Sequence, residues 1–260
     1  MRLFDAHNHL QDARFGNRQE KLISDCAAVG LSKMVVNGTC ESDWSTVATL
    51  AKWHDCVLPS FGLHPWCVDE RSPDWLAKLK QQLDAWPGAV GEIGLDRWKP
   101  GLVYEEQEEV FTAQLHLSAE RNLPASIHCL KTWGRLHELL CDGPLPKRGF
   151  LLHSYGGPAE MVEPLAKLGA YFSFPGAFVQ ERKTRRRNAF RQVPTDRLLI
   201  ETDAPDQALP DERVSHVLGQ EMNHPANIAA VYEAAAESLG HPPEDLVKRV
   251  EENFVRLFGG

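Results

Sequence analysis

No apolar run in this sequence reaches the roughly 20 residues that a membrane-spanning helix needs. The chain arrives at Asp5 and His7 almost at once, without the basic and apolar regions of a secretory leader, so the expectation is a protein that stays in the cytoplasm. Cysteine is sparse and scattered, at Cys26, Cys40, Cys56, Cys67, Cys129 and Cys141, with no Cys-x-x-Cys pair. That pattern does not form a disulfide framework, and the thiols read as reduced. Positive charge is also in deficit: 28 Lys and Arg face 36 Asp and Glu, for a net charge of −8. Proteins that live by non-specific phosphate contacts are usually basic, so a nucleic-acid role here has to rest on a local site. Low-complexity stretches, Gly/Ser linkers and short-period repeats are missing too. So is a Gly-x-Gly-x-x-Gly turn, which weighs against a doubly wound dinucleotide-binding sheet.

What remains is a chain of 260 residues, 43% hydrophobic, enough for one large core. The expectation is a single domain over residues 1–260, with no obligate protein partner and no membrane association. Strand-like apolar runs recur at Leu3–Asp5, Lys33–Asn37, Val57–Gly62, Ala89–Glu92, Pro124–His128, Gly149–His153, Tyr171–Phe174 and Leu198–Glu201. Between them lie stretches with apolar residues three and four apart, such as Lys21–Val29, Trp75–Ala85, Glu106–Arg121, Pro158–Leu168 and Ile228–Leu239. This alternation predicts a parallel sheet with helices outside it, and its length fits a TIM-like (β/α)₈ barrel, regular or distorted.

Chemistry-bearing residues gather at the C-terminal ends of those runs. His7 and His9 follow the first, His64 the third, and Glu92 ends the fourth. His128 ends the fifth, His153 the sixth, and Asp203 follows the eighth. Side chains two apart on a strand share a face, so His7 and His9 can aim at one point. In a barrel all these ends open on the face where active sites sit. Any one of them alone reads more readily as an ordinary loop or turn residue; their joint placement does not. Imidazoles and carboxylates in this number suit two divalent cations, with Glu92 bridging. His7, His9 and Asp203 complete one site, His128 and His153 the other. Two ions about 3.5–4 Å apart would lower the pKa of a shared water and stabilise charge on an attacked oxygen. Asp203 is then a candidate general base. His64, with no evident place among the ligands, is assigned to the substrate oxyanion. The histidine-rich set favours Zn²⁺, Mn²⁺ or Fe over Mg²⁺, which prefers oxygen.

The segments Asp5-Ala6-His7-Asn8-His9-Leu10, Gly62-Leu63-His64-Pro65, Gly91-Glu92-Ile93-Gly94-Leu95-Asp96 and Glu201-Thr202-Asp203-Ala204-Pro205 resemble the signatures of the TatD family of metal-dependent hydrolases, within the amidohydrolase superfamily. Asn223-His224-Pro225-Ala226-Asn227 and Asn253-Phe254-Val255-Arg256-Leu257-Phe258 resemble its C-terminal pattern. The resemblance implies a TIM-like barrel, a two-metal centre and Mg²⁺-dependent deoxyribonuclease activity. It carries the metal roles to His7, His9, Glu92, His128, His153 and Asp203. Two departures stand out. Where the family often has Ser-Arg after the fifth-strand histidine, this chain has Cys129-Leu130-Lys131, with Lys131 the point charge available in place of arginine. Where it usually has His-Cys-Phe-Ser-Gly, this chain has His153-Ser154-Tyr155-Gly156-Gly157.

A strongly basic stretch, Gln180 to Arg191, follows the seventh run and reads either as a phosphate-guiding patch or as a solvated helix face. Trp66, Trp98 and Tyr155 follow strand ends and read either as rings that stack on bases or, at least as readily, as core or rim packing. Cys129 is expected to turn away from the metals. The functional expectation is a phosphodiesterase acting on DNA. A hydrolase of small amides or esters is the alternative, and a non-catalytic metal-binding scaffold is the third reading.

Overall fold

A computed structural model describes residues 2–219 and 221–259. Eight strands pair in parallel in chain order. They are β1 (Leu3–Asn8), β2 (Leu31–Asn37), β3 (Val57–Phe61), β4 (Ala89–Asp96), β5 (Ala125–Leu130), β6 (Phe150–Leu152), β7 (Ala170–Pro175) and β8 (Leu198–Glu201). Helices α1 (Gln19–Ala28), α2 (Trp44–Trp53), α3 (Trp75–Ala85), α4 (Tyr104–Arg121), α5 (Trp133–Asp142), α6 (Val162–Lys167) and α7 (Thr184–Phe190) fall one after each of β1 to β7. Two more, α8 (Ile228–Leu239) and α9 (Pro243–Phe258), follow β8. Among the described residues no helix is long and apolar enough to cross a membrane.

The sheet closes on itself at its C-terminal end. The Asp203 amide donates to the His7 carbonyl at 2.9 Å and the His9 amide to that of Ala204 at 2.8 Å. Beneath them the buried Asp5 carboxylate accepts from the Thr202 amide at 3.0 Å and its hydroxyl at 2.6 Å. The loop carrying Asp203 is thereby stitched to the strand carrying His7. Burial dominates Asp5 and raises its pKa to about 7, against the lowering effect of those hydrogen bonds.

The helices pack by amphipathic faces. On α9, Leu246, Val250, Phe254 and Leu257 are buried at helical spacing, and the Phe254 ring lies 4.8 Å from that of Phe4 on β1. Each such side chain contributes about 1.5–3 kcal/mol through burial. On α8, the buried Tyr232 hydroxyl donates to the Phe4 carbonyl at 3.0 Å and accepts from its amide at 3.1 Å. Tyr232→Phe leaves both groups of Phe4 unsatisfied, and a loss of about 1–3 kcal/mol is expected in urea unfolding. A variant within about 0.3 kcal/mol of wild type would show that water or a shifted strand replaces the hydroxyl.

Several elements differ from the runs read in the sequence. β1 extends to Asn8, so His7 lies within the strand, and β4 extends to Asp96, so Glu92 is mid-strand rather than terminal. Gly94 allows the extension of β4: at φ +151° it pairs with His128, and a Cβ there would collide with the His128 carbonyl. The stretch Pro158–Leu168 splits into a 3₁₀ turn at Ala159–Met161 and the short α6, whose Pro164 lacks a backbone donor.

Candidate metal centre

The barrel mouth brings all seven sequence candidates together around Glu92. This carboxylate is buried, and its two oxygens face different partners. Oε2 lies 3.4 Å from His7 Nε2 and 3.2 Å from His9 Nε2. Oε1 lies 3.1 Å from His128 Nδ1, 2.8 Å from His153 Nε2 and 3.4 Å from His64 Nε2. Asp203 Oδ1 approaches the β1 pair, at 3.7 Å from His7 Nε2 and 3.5 Å from His9 Nε2. Asp203 holds this position with φ at +51°, an uncommon backbone conformation for a residue with a side chain. Within each of the sets His7–His153–Asp203, His7–His9–Glu92 and His64–Glu92–His128, the donor atoms lie within 4.8 Å of one another.

The remote ring nitrogens fix the tautomers. His9 Nδ1 donates to the Asn37 carbonyl at 2.8 Å, and His128 Nε2 donates to Asp96 Oδ2 at 3.0 Å. A carbonyl and a carboxylate only accept, so those nitrogens carry hydrogen. In the neutral rings His9 Nε2 and His128 Nδ1 therefore present lone pairs to Glu92. His7 Nδ1 meets the Ser126 hydroxyl at 2.8 Å, and its Nε2 lies 3.2 Å from His9 Nε2. Lone pairs of nitrogen and carboxylate oxygen meeting this closely need positive charge between them, as protons or as cations. A divalent cation fits the donor set, and the Asp96–His128 pair has the form that orients a ligating imidazole.

The titration of these groups points the same way. Burial opposes charge on Glu92, yet His153, His64 and His7, with the His128 hydrogen bond, hold its carboxyl well below the usual range. Burial also works against a charged His9 and a charged His153. Asp203 and Glu92 outweigh it at His9, and Glu92 and Glu201 at His153, so both imidazoles rise well above their ordinary value. His64 is different: burial dominates and lowers it to about 4. Its Nδ1 accepts from the Trp66 amide at 3.2 Å, which leaves the hydrogen on Nε2, the atom that faces the centre.

The sequence reading left out Asp96, which fixes His128 and accepts from the Trp66 indole at 2.7 Å. The signal was present, since Asp96 lies an even four residues beyond Glu92 in the same motif. It also left out Glu201, buried beneath His153, which accepts from the Ser154 amide and hydroxyl at 2.8 and 2.6 Å and from the Ser173 hydroxyl. Cys129 turns to Thr132, its sulfur 3.2 Å from that hydroxyl.

Two expectations are corrected. Tyr155 is fully buried, its ring packed on Trp133 and Phe172 and its hydroxyl bonded to the Pro158 carbonyl, so it offers no face to a base. Lys131 is exposed and lies outside the lining of the cleft above Glu92, so it does not replace the missing arginine there. That cleft, about 340 Å³, is instead bounded by Trp66, Trp98 and Arg186. Trp98 is 57% exposed and stacks on Trp66, with ring centroids 6.3 Å apart.

Residues 4–259 match the family model described as TatD related DNase. An uncharacterized metal-dependent hydrolase of Haemophilus influenzae is 31% identical over 99% of this chain and 100% of its own length. The 3'-5' ssDNA/RNA exonuclease TatD of Citrobacter koseri is 29% identical over 99% of this chain and 99% of its own. The crystal structure of YjjV, a TatD homolog from Escherichia coli K12, superimposes with a TM-score of 0.91 at 28% identity, covering 99% of this chain and 98% of that one. The chain belongs to the TatD family of metal-dependent hydrolases.

Proposed function

We propose that this chain is a phosphodiesterase that trims nucleic acid with two divalent ions held on either side of Glu92, residues 1–260 acting as one catalytic unit. The observation that carries the reading is the division of the Glu92 carboxylate, one oxygen toward the β1 histidines and the other toward His128 and His153. His7, His9 and Asp203 would hold one ion with Glu92, and His128 and His153 would hold the other. When bound, such ions supply Lewis acidity, acidifying a water and stabilising charge on the attacked phosphoryl oxygens. Mg²⁺ or Mn²⁺ supports activity, and Zn²⁺ also suits the nitrogen-rich donors.

The chain's own residues do the rest. Asp203, at the rim of the cleft and beside His9, takes the proton of the attacking water on a carboxylate oxygen. His64 presents its Nε2 hydrogen as a neutral donor to the substrate oxyanion; the Trp66 amide on Nδ1 enforces that tautomer. Asp96 and the Asn37 carbonyl keep His128 and His9 aimed inward. Trp98, exposed at the mouth, offers a face on which a base stacks. A nucleic-acid substrate is further supported by the relatives named as ssDNA/RNA exonucleases.

The test is metal analysis of the purified protein together with hydrolysis of single-stranded DNA, bis-p-nitrophenyl phosphate and a panel of N-acyl compounds in Mg²⁺, Mn²⁺ or Zn²⁺. Two equivalents of metal and cleavage of the phosphodiesters are expected. Turnover of the N-acyl compounds alone would replace this reading with amide hydrolysis. The positioning role of Asp96 gives a second expected outcome. Asp96→Asn weakens acceptance from His128, and a loss of about 10–100-fold in metal affinity or turnover is expected. Calorimetric titration with Mn²⁺ reads the first; a variant matching wild type in both would remove Asp96 from the site.

A further inference from the structure

Beside the metal centre the basic stretch forms a 3₁₀ turn, Glu181–Lys183, and then α7. Some of its cations are engaged. Arg187 donates to the Phe178 and Gln180 carbonyls at 2.8 and 2.6 Å, and Arg191 to Asn188 and the Ser238 carbonyl. Four others are not neutralised. Arg182 reaches the Gln180 side-chain oxygen and Lys183 that of Gln207, both uncharged acceptors. The Arg186 guanidinium sits over the Phe178 ring, 5.3 Å from its centroid. Among the described residues, no carboxylate lies within 4.0 Å of Arg182, Lys183, Arg185 or Arg186.

These four side chains, with Trp133 and Gly156, line a cavity of about 470 Å³. Arg186 packs beside Gly156, where a Cβ would stand in ordinary contact, 3.4 Å from the guanidinium Nε. Arg186 also lines the cleft above Glu92, so one guanidinium forms part of both walls. Burial, then Arg186 and Arg182 in the same group of cations, lowers the Lys183 ammonium to about 8, against a raising effect of Asp203. In a chain of net charge −8, such a group is a local anion site rather than part of a global field. Forked guanidinium groups match phosphate oxygens.

We propose that this cavity is a subsite for a non-scissile backbone phosphate of a single strand whose scissile phosphate lies over Glu92. The proposal rests on the phosphodiesterase reading above. It makes the enzyme favour oligonucleotides over substrates with one phosphodiester, because only a strand fills both cavities with Arg186 between them.

The test compares wild type with the double variant Arg182→Ala/Arg185→Ala, both residues exposed and remote from the barrel core. Hydrolysis of pentathymidylate and of thymidine 5'-(4-nitrophenyl phosphate) is measured in Mn²⁺. The ratio of kcat/KM between the two substrates should fall about tenfold in the variant, the scale of one charge-assisted hydrogen bond. The salt dependence of oligonucleotide binding should weaken by about 0.7 in logarithmic slope for each phosphate that is no longer neutralised. Lys167→Ala, which removes an exposed charge paired with Glu163 elsewhere, should keep the wild-type ratio. An unchanged ratio in the double variant, or equal loss on both substrates, overturns the subsite. Fluorescence anisotropy of labelled dT₁₀ in EDTA separates the two claims. If wild type hydrolyses neither substrate, the phosphodiesterase reading falls, and equal dT₁₀ affinities for variant and wild type overturn the subsite independently.

Discussion

Glu92→Gln is expected to lower metal content from two equivalents toward none and to cut turnover about 10³-fold or more, the equivalent of several kcal/mol of lost Lewis-acid stabilisation. The expectation follows from the two faces of this carboxylate. Oε1 gathers three imidazole nitrogens within 3.4 Å, and Oε2 gathers two. An amide has no charge to share, and one of its ends carries N–H donors, which repel a cation. Whichever way the Gln side chain rotates, one half of the site faces a donor. The barrel should still fold, because the β4 backbone and the close packing of Gly91 and Gly94 on β5 do not involve the carboxylate. Ligand-linked stability gives a second readout. Wild type should gain about 2.7 kcal/mol for each bound ion at metal concentrations 100 times Kd, and the variant should gain little. Retention of two ions and wild-type turnover by Glu92→Gln would mean that the histidines and Asp203 form the sites without a bridge.

Much of this arrangement could be read in the sequence because strand ends in a parallel barrel share one face. Once His7, Glu92, His128, His153 and Asp203 each sit at or beside a strand-like run, closure of the sheet brings them together. Strand length was less legible. β4 reads as ending at Glu92 because Gly94 interrupts the apolar run, yet glycine there is what lets the strand stay against His128. That extension places Asp96 beside His128, a pairing that a strand taken to end at Glu92 conceals even though the even spacing from Glu92 to Asp96 is there to be read. The partner of His9 is a backbone carbonyl, Asn37, which no side-chain pattern announces. Tyr155 failed as a surface aromatic for a related reason. Whether a ring after a strand turns in or out depends on the loop, and here Gly157 leaves room for Tyr155 and Trp133 to close on each other: a Cβ at that position would lie 2.7 and 2.8 Å from them.

Asp203→Asn should leave the fold and much of the metal in place while turnover falls about 10²–10⁴-fold, the usual worth of a positioned general base. The carboxylate meets His7 and His9 with Oδ1, at 3.7 and 3.5 Å, so a neutral oxygen in the same place still serves the first ion, though more weakly. What the amide lacks is affinity for a proton. Burial raises the proton affinity of Asp203, but the His9 hydrogen bond and the nearby His153 and His7 imidazoles lower it further, so the group is an anion in the resting site. Asparagine is compatible with the backbone at φ +51°, where most other replacements would add strain. Loss of activity in this variant would therefore not be a folding defect, and thermal melting should check this directly. The decisive comparison is kcat against one phosphodiester with metal content measured on the same sample. A variant with both ions bound and near wild-type kcat would exclude Asp203 as the base. The proton would then have to leave by a route other than the His64 Nε2, which faces Glu92 Oε1 at 3.4 Å but already carries hydrogen.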